Sequence, residues 1–169
     1  ARARADVPRN VPDSILRRLP ANGGVVMVTF VPGFISQQVV DYSARVQRLT
    51  AEMRNRFGAD TAALRREVEL WRAANPEPRA TLSQVANHIE HIRNIAGIDH
   101  VGIGGDFDGI STVVQGLEDV STYPALFAEL SRRGWSEADM RKLAGENLLR
   151  VMRQAEAVDR GQGFPQVED

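Results

Sequence analysis

An α/β fold is the expectation from this sequence, on three grounds. Two short segments, 23–30 (GGVVMVTF) and 100–105 (HVGIGG), are apolar or glycine-rich on both faces and bounded by turn residues, the pattern of parallel strands covered by helices. A helical pattern precedes each of them. Between them lies a polar stretch, 37–80, which is too long for an ordinary connection and carries helical periodicity of its own.

The first element is a helix over 11–19, with Asn10 placed to cap it and Pro12 near its start, where a missing amide costs little. After the first strand, 37–80 reads as a helical hairpin inserted into the fold. Val39, Tyr42, Val46, Leu49 and Met53 form one stripe, Gly58-Ala59-Asp60 the turn, and Leu64, Val68 and Trp71 the return stripe, which Asn75-Pro76-Glu77-Pro78 ends. Thr81 and Gln84 make a T-x-x-Q capping box for the next helix, whose Leu82, Val85, Ile89, Ile92 and Ala96 recur at helical spacing before Gly97 stops it. The second strand is followed by a loop over 109–122, a helix over 124–133, and a last helix capped by Ser136, with Asp139 at its third position, running to about residue 157. Trp71, Trp135 and the phenylalanines occupy helical or strand positions and read as core. The chain, 1–169, reads as a single domain. Two strands do not close a sheet, and a complete (β/α)₈ barrel takes ~250 residues, so a barrel origin would make this its last quarter or third.

Composition removes several function classes. The chain has no cysteine, which excludes a disulfide scaffold, a thiolate zinc finger, an iron-sulfur protein and a cysteine nucleophile. Its 21 basic residues, of which Lys142 is the one lysine, are interspersed with 22 acidic ones, and a formal net charge of -1 argues against nucleic acid as a partner. No apolar run approaches the ~20 residues that cross a bilayer, and neither end carries an anchor signal, so no membrane anchor and a cytoplasmic location are expected. P-loop, G-x-G-x-x-G and G-x-S-x-G motifs are absent from the sequence.

The sharpest local feature is Gly104-Gly105-Asp106-Phe107-Asp108-Gly109, two carboxylates just past the C-terminal end of a buried strand, where α/β folds place their sites. A carboxylate there can move a proton or face a metal, and the glycines let backbone approach a ligand. The same residues are also ordinary turn formers. Arg9, just ahead of a helix start, can clamp a carboxylate with its planar fork of donors, or be solvated surface. His88 and His91 share a helix face at i and i+3, a spacing that can serve a metal. The H-E-x-x-H pattern and a third ligand are missing, so packing and capping roles are expected. His100, at the opposite end of its strand from the expected site, reads as structural.

The blocks RNVPDSILRRL, GGVVMVTFVPGFIS, ATLSQVANHIEHIRNIAGIDHVGIGGDFDG, GLEDVSTYPALFAEL and RRGWSEADMRKLAGENLLRVMR, in this order and spacing, resemble the C-terminal part of the membrane (renal) dipeptidase family in a bacterial form. The hairpin over 37–80 resembles an insertion found in bacterial members. The resemblance implies the C-terminal portion of a (β/α)₈ (TIM-type) barrel with a helical-hairpin insertion, and a dipeptidase that uses two zinc ions. It implies that Asp106 accepts and donates a proton beside the metal-bound water and that Arg9 binds the terminal carboxylate of the substrate. Phe34 matches a position that is tyrosine in some relatives, where it packs on the substrate but has no hydroxyl to donate. The family's zinc ligands, an H-x-D pair, a bridging glutamate and two later histidines, match no residue here; they are expected upstream. The site is therefore Asp106 for catalysis, Arg9 and Phe34 for substrate, and no metal ligand. The expected partners are a dipeptide and the N-terminal part of the same barrel. This chain alone is expected to be inactive.

Two other readings stand beside it. One is a catalytically inactive barrel fragment acting as a scaffold or oligomerisation module, with a homo-oligomer open to test. The other takes Asp106-Phe107-Asp108-Gly109-Ile110-Ser111-Thr112 as the D-x-D-G-T start of an aspartyl phosphotransferase. Residues 110–169 are too few and too helical to supply the later strands such a fold needs.

Overall fold

The computed structural model of the chain describes residues 1–160. The first helix expected from the sequence is two single turns instead, α1 (Asp13–Leu16) and α2 (Leu19–Asn22). Asn10 does not cap it. Pro12 takes the extended N-cap position, and the Asn10 amide reaches sideways, donating to the Ala5 carbonyl at 2.8 Å and the Phe34 carbonyl at 2.9 Å. A capping side chain has been diverted to tie two loops together.

The chain then enters β1 (Val26–Thr29), a short turn α3 (Pro32–Ile35), and the hairpin of α4 (Gln37–Phe57) and α5 (Thr61–Ala74). Gly58, at φ 57, lets the chain reverse, and Asp60 caps α5 by accepting from the Ala63 amide at 3.0 Å. The predicted stripes are buried unequally. Val39, Tyr42, Val46 and Met53 are buried, Leu49 is half-buried, and α5 buries none of its residues fully. Of the first stripe only Val39 joins the main core, because the hairpin leaves the body at its base and packs chiefly on itself, with the Tyr42 and Trp71 rings 5.5 Å apart.

The capping box that opens α6 (Leu82–Ala96) forms with both bonds: the Thr81 hydroxyl accepts from the Gln84 amide at 3.4 Å, and the Gln84 side chain accepts from the Thr81 amide at 2.9 Å. Next come β2 (Val101–Gly105), α7 (Tyr123–Arg132), α8 (Glu137–Arg141) and α9 (Asn147–Asp159). The loop after β2 is pinned to the start of α6, where the Gln115 amide donates to the Ala80 carbonyl and the Leu82 amide to the Gln115 carbonyl. The last predicted helix is interrupted. Ser136 does cap α8, but 142–146 widens into i→i+5 turns in which Gly145 leaves helical geometry, so α9 starts on a shifted face.

Among the described residues the sheet has two strands, β1 and β2, paired in parallel from Val26↔Val101 to Thr29↔Gly105, with a bulge between Val28 and Thr29. Leu16 and Phe30 pack with Ile89 and Ile92 of α6, Leu126 and Leu130 of α7 and Leu143 into one core around it. The N-terminal ends of the strands are fastened by polar side chains. The Asn147 amide donates to the Ile98 and Val101 carbonyls at 2.7 and 2.9 Å, and the Arg150 guanidinium to those of Gly23 and Asp99, both at 2.8 Å. Asn147 is buried, so its loss strands two carbonyls without water. Asn147→Leu is expected to cost roughly 2–3 kcal/mol, read as a lower urea midpoint; an unchanged midpoint would show that these carbonyls find other partners.

Candidate functional site

Asp106 is the first residue beyond β2 and follows the last rung of the sheet, where the Phe30 amide donates to the Gly105 carbonyl at 2.8 Å. It is exposed, and it alone among the described non-glycine residues has a positive φ, 78°. For a residue with a Cβ that left-handed conformation costs on the order of 1 kcal/mol, least for Asn and Asp, so the surroundings must hold it. Two glycines do. A Cβ on Gly109 would lie 2.5 Å from Asp106 Oδ1, and one on Gly105 would lie 2.7 Å from the Tyr123 hydroxyl. Below them Phe30 meets Phe107 and Tyr123 edge-on, at centroid distances of 5.9 and 5.8 Å, and gives the turn an apolar floor. Asp108 is exposed in the short turn Phe107–Gly109, so the motif is at once a turn and a presentation of carboxylate.

Arg9 and Phe34 are brought together: the Arg9 guanidinium sits over the Phe34 ring at 4.8 Å. The Asn10 tether explains the contact, since it binds the loop bearing Arg9 to the carbonyl of Phe34 itself. Arg9 and Phe34 line a cleft of about 180 Å³ with Val28, Thr29, His88 and Ile92. Asp106 does not line this cleft. It stands at the same end of the sheet, one strand away, so a guanidinium and a carboxylate flank the C-terminal ends of β1 and β2. That arrangement can hold an anion on one side and transfer a proton on the other.

Each histidine is engaged by protein. His88 is buried; its Nε2 donates to the Ile35 carbonyl at 2.9 Å, which leaves Nδ1 to accept from the Ala1 backbone nitrogen at 2.8 Å. His91 bonds Asp13 at 2.7 Å, and His100 Nδ1 donates to the Gly24 carbonyl at 2.7 Å. Among the described residues no group of three or more His, Asp or Glu side chains gathers to hold a metal. The residues described here therefore do not themselves fit a zinc site. Burial pushes His88 below its usual range, with the Ile35 hydrogen bond opposing and Arg4 and His91 contributing smaller pushes downward. A depressed histidine favours the folded state above its unfolded pKa of about 6.5. That stability is lost as pH falls below that value. Unfolding midpoints measured from pH 7 to 4 are expected to fall more steeply for the wild type than for His88→Gln; parallel curves would show that His88 titrates normally.

Sequence reasoning missed Asn10 as a tether, and Phe30 and Tyr123 as the floor under Asp106. For Phe30 and Tyr123 the aromatic itself was the available signal, but aromatics at element ends are common in any core; for Asn10 the local sequence offered only the cap.

A parallel α/β unit with its charged groups at the C-terminal strand ends defines a site of the kind used by barrel and open-sheet enzymes. The comparisons narrow this. Residues 1–164 match the family model described as membrane dipeptidase (peptidase family M19), and the chain belongs to that family. It is 40% identical over 153 residues to an uncharacterized dipeptidase of Schizosaccharomyces pombe, with 89% of this chain and 28% of that protein covered. It is 38% identical over 158 residues to human Dipeptidase 3, with 94% and 24% covered. The chain thus spans about a quarter of the length of the curated relatives it matches. The crystal structure of the probable dipeptidase PvdM from Pseudomonas aeruginosa superposes with a TM-score of 0.67 at 30% identity, covering 88% of this chain and 41% of that one. A metallo peptidase from Rhodobacter sphaeroides, solved with a phosphinate mimic of the dipeptide L-Ala-D-Ala, gives 0.60 at 27% identity, covering 87% and 32%. The phosphotransferase reading has no support from these relatives.

Proposed function

We propose that this chain is the C-terminal part of a (β/α)₈ barrel metallodipeptidase and supplies part of its substrate site. The observation that carries the proposal is Asp106, an exposed carboxylate in a costly backbone conformation at the C-terminal end of β2, within a chain of the membrane dipeptidase family. A left-handed aspartate at a strand end holds its carboxylate in a fixed direction, as a proton-transferring group needs. Arg9 holds the free carboxylate of the dipeptide, and Phe34, beneath the guanidinium, orients it and offers an apolar face to the substrate. Asp106 takes the proton from the attacking water and returns it to the departing amine, which balances the hydrolysis. In the complete protein two zinc ions, held by residues outside this chain, would supply the Lewis acid.

The rest of the barrel is the expected partner. In the described structure β1 and β2 pair only with each other, and Leu148, Leu149 and Met152 of α9 are exposed, so the unit has apolar surface and strand edges suited to a further layer. The same features support the alternative of an inactive scaffold or oligomerisation module. The test is zinc content and dipeptide hydrolysis for this chain alone and after combination with the N-terminal barrel part. Two zinc ions and turnover in the combined sample only are expected. Absence of both in the combined sample would overturn the enzymatic reading and leave the scaffold.

A further inference from the structure

A second cleft, of about 310 Å³, opens where the base of the hairpin faces the loops after both strands. Val31, Val39 and Ile110 line it as apolar surface, Ser43, Ser111 and Thr112 as hydroxyls, and Glu77 is the one ionisable residue on its wall. Gly109 belongs to the same wall, and the Asp106 carboxylate lies against Gly109, so this cleft adjoins the candidate catalytic group.

Glu77 has three properties that distinguish it from an ordinary surface acid. It is exposed and held between Pro76 and Pro78, which restrict the backbone on both sides. The segment is anchored just before it, where the Asn75 amide and side chain both donate to the Trp71 carbonyl at 2.9 Å. And among the described residues Glu77 forms no ion pair, although the hairpin is rich in arginine; Arg72 lines an adjoining groove together with Glu77 without pairing to it. A carboxylate on a stiff post, above apolar and hydroxyl surface, matches a side chain with an aliphatic stem and a cationic end.

We propose that the hairpin base forms a side-chain subsite in which Glu77 selects dipeptides bearing a lysine-like cationic side chain. The inference rests on the dipeptidase reading and gives the inserted hairpin a task in specificity. Glu77 touches neither the scissile bond nor the substrate's end groups; it acts through the side chain it holds.

The experiment compares two dipeptides that differ only in carrying lysine or the isosteric neutral norleucine at the same position, hydrolysed by the full-length protein. The wild type is expected to favour the lysine dipeptide by about tenfold or more in kcat/KM. Glu77→Gln is expected to abolish that preference while leaving the norleucine dipeptide unchanged, and Glu69→Gln, an exposed acid elsewhere on the hairpin, to leave the preference intact. Equal loss on both substrates, or a preference unaffected by Glu77→Gln, overturns the proposal. If the wild type hydrolyses neither dipeptide, the dipeptidase reading fails, and the subsite is judged by calorimetric binding of the same pair to the same protein. Tighter binding of the lysine dipeptide that Glu77→Gln removes supports the subsite, and equal binding or none overturns it.

Discussion

Asp106→Asn is expected to lower kcat for dipeptide hydrolysis by the assembled protein by roughly 10³-fold, the scale of a lost general acid-base group, without lowering stability. Asparagine is the one replacement that separates chemistry from fold here. It keeps the shape of the side chain, and it tolerates the left-handed conformation that Asp106 adopts at φ 78. Asp106→Ala removes the same carboxylate but must hold a methyl-bearing residue in that conformation, and is expected to lose a further ~1–2 kcal/mol of stability. Turnover by wild type and both variants, together with their urea midpoints, checks both statements. Turnover retained within a few-fold by Asp106→Asn would show that the carboxylate is a turn former and nothing more.

Phe30→Ala is expected to have the largest effect on stability, roughly 3–5 kcal/mol. Phe30 is fully buried, touches the rings of Phe107 and Tyr123 edge-on, and donates its amide to Gly105. Truncation leaves a cavity directly beneath the turn that presents Asp106, and the surrounding turn is anchored by that same ring. Hydrogen exchange over 105–109 is therefore expected to accelerate beyond the global change. Phe30→Leu retains most of the burial and loses the aromatic edges, and is expected to cost about 1 kcal/mol. A Phe30→Ala midpoint near that of the wild type would mean the site's floor is supplied by other residues.

Much of this arrangement was legible in advance, because its causes are local. The capping box at Thr81 and Gln84, the reversal at Gly58, and the turn after β2 each depend on residues within a few positions of one another, and each forms. The candidate site residues Asp106, Arg9 and Phe34 come from the family resemblance, and the pairing of Arg9 with Phe34 was not legible: it is made by Asn10, whose side chain left the helix cap for a carbonyl 24 residues away. The interruption at 142–146 was equally hidden. Helical spacing runs through it, and the residue that follows it, Asn147, is spent on two carbonyls under the strands.

The sequence by itself determined that the chain is α/β, where its two strands and long hairpin lie, and that a carboxylate follows the second strand. These follow from periodicity and turn chemistry, which act between neighbours. Only the tertiary structure decided that β1 and β2 pair directly with each other in the register Val26↔Val101, that the histidines are spent on Ile35, Asp13 and Gly24, and that Glu77 faces the cleft beside Asp106. Those outcomes depend on which polar groups are left without water once the apolar faces have packed, and that is a property of the whole core.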